Sequence, residues 1–194
     1  MIKKSQFLSI FVLVSILGTV PSALAVDTEL IDVLRQRTLN SGSLTAGDVE
    51  TIDTFWNEAI EELLLSNDIS EVVTIKSTLS AHRGTNELSQ YTSSYIMSAQ
   101  KYLDSAFDEV KGWDPGPLKR HTERNLLILV AELQSTELAD FALDRLENDN
   151  SLIRYWAVKA LTDFKVASQL GAGSNAELAD RIIQRLQKLT QKEN

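Results

Sequence analysis

The chain has 194 residues, 43% hydrophobic and 24% charged, and its 27 acids against 19 lysines and arginines leave a formal net charge of −8. It contains no cysteine, which excludes disulfide support, thiolate nucleophiles, zinc–thiolate centres and iron–sulfur clusters. The acidic balance repels phosphate backbones, so nucleic-acid binding would require a local basic patch, and none is read in the sequence.

In chain order, Lys3 and Lys4 come first, then an uncharged apolar stretch from Phe7 to Val20, then Pro21 and the small-residue sequence Ala23-Leu24-Ala25. That order predicts a secretory signal peptide over residues 1–25, cleaved after Ala25. The apolar stretch is shorter than the roughly 20 residues a spanning helix needs. Cleavage would leave 169 residues beginning at Val26, enough for one structural unit with its own core. Loss of Lys3 and Lys4 would leave 17 bases against 27 acids, a net charge of −10. Export to the periplasm or beyond, without a disulfide, requires packing alone to hold the fold.

From there to the end, apolar residues recur at three and four positions, which predicts an all-α protein of about eight helices. With 8 glycines and 3 prolines there are too few breakers for a β-sandwich. The first helix is expected over 28–39, with Leu30, Ile31, Leu34 and Thr38 on one face. The second is expected over 45–65, opened by a capping-box spacing of Thr45 and Asp48 and carrying Val49, Ile52, Trp56, Ala59, Ile60 and Leu63. Asp68 and Glu71 repeat the device for a third helix ending at Gly84, with Ile69, Val72, Val73 and Leu79 as its stripe. A fourth spans 87–111 with Ile96, Ala99, Leu103, Phe107 and Val110 inward, and Gly112 ends it.

Trp113-Asp114-Pro115-Gly116-Pro117 is the strongest internal breaker. It divides hairpins over 26–112 from a second half over 118–194, with 26–194 read as one unit. The fifth helix, 118–133, contains Leu126-Leu127-Ile128-Leu129-Val130-Ala131, apolar all round, and must be covered on most sides. The sixth, 137–147, presents Leu138, Phe141, Ala142 and Leu146. The seventh, 151–164, presents Ile153, Trp156, Ala157, Ala160, Leu161 and Phe164. After Gly171-Ala172-Gly173-Ser174-Asn175, an eighth covers 176–190 with Leu178, Ile182, Leu186 and Leu189.

The stretch from Leu143 to Leu161 resembles a HEAT-type helical repeat junction. There a leucine-rich helix ends, an Asp/Asn pair turns the chain, and a helix of pattern Ile/Val-Arg-x-x-Ala-x-x-Ala-Leu begins. Ile153, Arg154, Ala157, Ala160 and Leu161 match position by position. The resemblance is clearest over 137–165 and is extended to 118–190, although an upstream copy at 124–133 has bulky residues where the alanines belong. It implies stacked antiparallel hairpins, close helix approach at the alanines, and an arginine paired with an acid of a neighbouring turn or repeat. About three units are expected for such a stack to bury its faces.

No catalytic motif is present: no GxSxG, no Walker loop, no GxGxxG and no HExxH. His82 and His121 read as surface or cap residues, and the acids Glu58, Glu61, Glu62, Asp104, Asp108 and Glu109 as solvated helix faces. No cofactor or metal is expected. Two features remain as candidate partner-binding elements: a face of the fourth helix with Leu88, Tyr91, Tyr95 and Tyr102, interrupted by Ser98 and Ser105, and Trp113 in the Pro/Gly loop. The same rings could instead close the core. The sequence is therefore read as a non-catalytic interaction module or scaffold for a partner with a basic surface. The alternative is a small-molecule or peptide binder with a tyrosine-lined pocket, an enzyme being a remote third.

Overall fold

A computed structural model describes residues 28–41, 43–85, 89–171 and 175–193. The expected signal segment, the start of the fourth helix at Glu87 with Leu88, and positions 172–174 of the Gly-rich turn lie outside them. Among the described residues the chain is all-α, with nine α-helices, one 3-10 turn and no strand.

Side-chain chemistry at the ends explains most of the helix boundaries. α1 (Glu29–Ser41) is followed by α2 (Ala46–Leu65), whose expected capping box is formed. The Thr45 amide donates to Asp48 Oδ2 at 2.7 Å, and the Asp48 amide donates to Thr45 Oγ1 at 3.3 Å. Arg37 of α1 pairs with the same carboxylate, so the box also fastens two helices. α3 (Ile69–Ala81) is capped by Asp68, which accepts from the Ser70 amide. Glu71 does not complete a second box; it accepts from the Ser66 hydroxyl instead. Nor does α3 run to Gly84, whose role is close approach. A Cβ there would overlap the Thr92 hydroxyl and press on the Tyr91 ring at 3.1 Å.

α4 (Gln90–Lys111) starts at the Ser89 cap and stops at Gly112, and α5 (Pro117–Leu133) places Pro117 in its first turn, where no amide bond is lost. α5 ends on Gln134 in the left-handed region, φ 51°. The sixth helix departs from expectation. A 3-10 turn at Thr136–Leu138 leads into a short α6 (Ala139–Leu143), and residues to Asn148 continue as tight turns.

α7 (Ser151–Thr162) is capped by Asn150, which accepts from the amides of Leu152 and Ile153. It ends before Phe164 because Asp163 is extended, its carboxylate accepting from the Lys165 amide at 2.8 Å. That break begins a helix not read from sequence, α8 (Phe164–Gly171), and leaves Phe164 84% exposed rather than in the core. α9 (Ala176–Glu193) closes the chain.

Chain neighbours α2 and α3, α4 and α5, α6 and α7, and α8 and α9 pack on one another, while α2 also packs on α4, α3 on α5 and α5 on α7. Because α4 and α5 pack together, 113–117 is a hairpin turn within one body. The core runs unbroken from Ile31 in α1 to Ile182 in α9. α5 is the covered helix its composition demands: α3, α4, α6 and α7 all touch it, and Leu126, Leu127 and Leu129 are fully buried. Each contributes about 1.5–3 kcal/mol of apolar burial. Some expected stripe residues, Leu30, Val49, Ile69 and Val73, face outwards, since these helices are covered along a narrower stripe than their composition allows.

Candidate functional site

The tyrosine face is the first candidate, and the structure puts most of it inside. Tyr91 and Tyr95 are 2% and 0% exposed. Their hydroxyls donate to the backbone carbonyls of His82 and Leu79, each at 2.7 Å, taking up acceptors at the end of α3. The rings stack on each other at 5.7 Å, and Trp56 of α2 meets Tyr95 edge-on at 5.2 Å. Burial raises both phenol pKa values. Both rings close the packing of α4 on α2 and α3; Tyr95 is sealed, while Tyr91 also borders a pocket of about 320 Å³ with Arg35, Thr38 and Arg83. Ser98 is buried beside them and donates to Asp53 Oδ1 at 2.5 Å.

Tyr102 is half-buried, with the Lys101 ammonium 4.7 Å above its ring. Trp113, expected as an exposed loop residue, is half-buried against the core. Its carbonyl accepts from Lys119 Nζ at 3.0 Å, which steadies the α4–α5 turn.

Ile153, Ala157, Ala160 and Leu161 are buried, and α7 packs extensively on α5 across that face. Arg154 Nη1 donates to the carbonyls of Asn148 and Asp149 at 2.9 and 3.2 Å, holding the turn that precedes its helix. His82 accepts the role of a helix end: its Nδ1 lies 2.7 Å from the Thr78 carbonyl oxygen and its Nε2 3.5 Å from Asp32. Among the described residues no group of three or more histidines and acids is placed to hold a metal ion. No described helix is long and apolar enough to cross a membrane.

A larger concavity lies elsewhere, in a groove of about 820 Å³ between α4, the start of α5 and the α6 segment. Its floor is aromatic. Phe107 of α4 stacks on Phe141 of α6 at 5.3 Å, and the Arg145 guanidinium sits 3.7 Å from the Phe107 centroid. Arg145 is held by Glu123, with Nε 3.2 Å from Oε1, and donates to the Phe141 carbonyl at 3.0 Å. Burial pulls its pKa down, and the charges of Glu123, Asp144 and Asp108 oppose that pull.

The groove's rim is acidic. Asp104 and Asp108 stand on one wall, Glu137, Asp140 and Asp144 on the other, all exposed, with Asp140 paired to Arg181 of α9 at 2.6 Å. Two of the lysines there are already engaged: Lys101 pairs with Asp53 at 2.7 Å, and Lys119 donates to the Lys111 and Trp113 carbonyls. The lining carries six acids against four bases. Such a surface offers aromatic contact below and negative charge around, and it has no nucleophile–base pair.

In the sequence, Asp104 and Asp108 read as a solvated face and Phe107 and Phe141 as core stripes. Only the packing of α4 against the α6 segment brings them together, and no local spacing encodes that. A second miss was local: Lys119-Arg120-His121 with Arg124 is a basic run that the fold divides, Lys119 to the groove and the other three to a separate pocket. No protein-family model matches this chain, no curated protein matches it, and no solved structure matches it.

Proposed function

We propose that this chain is an exported, non-catalytic interaction protein, mature from Val26, whose hairpins are divergent HEAT-like repeats and whose α4–α6 groove receives a basic segment of a partner protein. The observation that carries the reading is the pairing of a Phe107–Phe141 floor with an acidic rim. Aromatic rings bury a partner's apolar side chains or the stems of its lysines and arginines, while the carboxylates meet the charged ends. The α2-on-α4, α3-on-α5 and α5-on-α7 packing supports the repeat interpretation. The small residues of α7 support it too. The tyrosine-pocket alternative draws less support, since Tyr95 is sealed and Tyr91 adds only a 2% exposed ring to a smaller pocket.

The test is fluorescence anisotropy of a labelled peptide combining arginine or lysine with leucine, titrated with the purified chain. Binding should weaken severalfold from about 0.05 M to about 0.3 M salt, as screening shortens the reach of the rim charges. The variant Asp104→Asn, Asp108→Asn, Asp144→Asn should bind about tenfold more weakly. Equal binding by the wild type and this variant would refute the groove as the docking site.

A further inference from the structure

The basic pocket points to a ligand of the opposite charge, on residues that take no part in the groove. We propose that the pocket between the start of α5 and the start of α7 is an oxyanion site for phosphate, either free or as a phosphomonoester. It is an open pocket of about 220 Å³ lined by Arg120, His121 and Arg124 of α5, with the cap residue Asn150 and Leu152 and Ile153 of α7 opposite. Those opposite residues carry no charge. Two permanent positive charges therefore line a small open pocket with no acid in its lining, on a chain whose net charge is −8.

The donors are arranged for capture. Arg124 Nη2 donates to His121 Nδ1 at 3.0 Å, which leaves the proton of a neutral His121 on Nε2, where it can donate to a bound oxygen. Arg124 Nε is buried and makes no hydrogen bond in the protein. Behind them Lys76 of α3, itself buried, donates to Asn125 Oδ1 at 3.1 Å, and Asn125 donates to the His121 carbonyl at 3.0 Å. Burial first, and then the charges of Arg124 and Lys76, lower the His121 pKa. A cluster whose members repel one another gains most from an anion placed among them. Two guanidinium groups match a phosphate dianion, and Asn150 already occupies the first amides of α7, so the site is made of side chains.

The chain has 2 histidines, so His121 can be observed by NMR with His82 as internal control. In the purified full chain, inorganic phosphate should shift the His121 ring signals saturably and raise its pKa by about one unit, because the anion favours the imidazolium. His82 should not respond. Arg120→Gln, at an exposed position, and Arg124→Gln should each weaken phosphate binding about tenfold or more. Phenyl phosphate distinguishes a monoester from the free ion by which binds more tightly; tighter binding by either supports the site. A His121 signal unmoved by both, acetate binding as tightly as phosphate, or unaltered binding in Arg120→Gln would overturn the assignment.

Discussion

A single hydroxyl or carboxyl decides more here than its helix propensity suggests. Glu62 of α2 lies near Glu71 of α3, and burial first, then the Glu71 charge, pushes its pKa up. With a folded pKa above the unfolded value, the folded state binds the proton more readily, so this group costs stability at neutral pH. The cost is relieved as pH falls through its raised pKa. Glu62→Gln should therefore stabilise the protein near pH 7 by under about 1 kcal/mol. That gain should disappear below the normal glutamate range of about pH 4.3. Urea melts of both proteins at the two pH values measure it. Asp48 has the opposite sign. The Arg37 guanidinium and the Thr45 amide and hydroxyl hold its carboxyl well below the usual range, so its contribution is present above the ordinary aspartate pKa and lost in strong acid.

For whole elements, the caps were the most readable feature. Thr45 with Asp48 and Gly112 after α4 act where the sequence predicts, because capping needs only residues a few positions apart, whereas Pro117, read as part of the breaker, opens α5. Thr45→Ala should cost about 1 kcal/mol, seen as a lower urea midpoint with an unchanged m value. The misreadings of α6 and α8 involve partners distant in sequence as well as near ones. α8 was missed because Asp163 looks like a helix-surface acid until its carboxylate is seen to accept from Lys165 and from Gln134 Nε2 at 3.2 Å. The α6 segment tightens for a similar reason. Gln169 of α8 accepts from the Thr136 amide and donates to the Gln134 carbonyl, which fixes the chain just before it.

Across the molecule, the all-α class was legible from periodicity, whereas the groove and the basic pocket were not. Both are built from helices whose meeting depends on tertiary packing. Attachment is uneven along the stack. α9 buries Ile182 with Leu178, Leu186 and Leu189 partly covered, and exposed ion pairs of Arg181 with Asp140, and of Arg185 and Lys188 with Glu147, complete its hold. Exposed pairs are screened by salt. At about 0.5 M salt the α9 amides should exchange hydrogen faster, while those of α5 stay protected. Equal acceleration in both helices would show that α9 is not separately attached.

The enclosure of α5 has a consequence for how the protein must be made. Its run from Leu126 to Ala131 has no water-tolerant side, and one of its covers, α7, is not complete until Thr162. Between those two moments of synthesis the nascent polypeptide carries a bare greasy rod. That interval is when it is most prone to stick to its neighbours and most in need of a chaperone's grip.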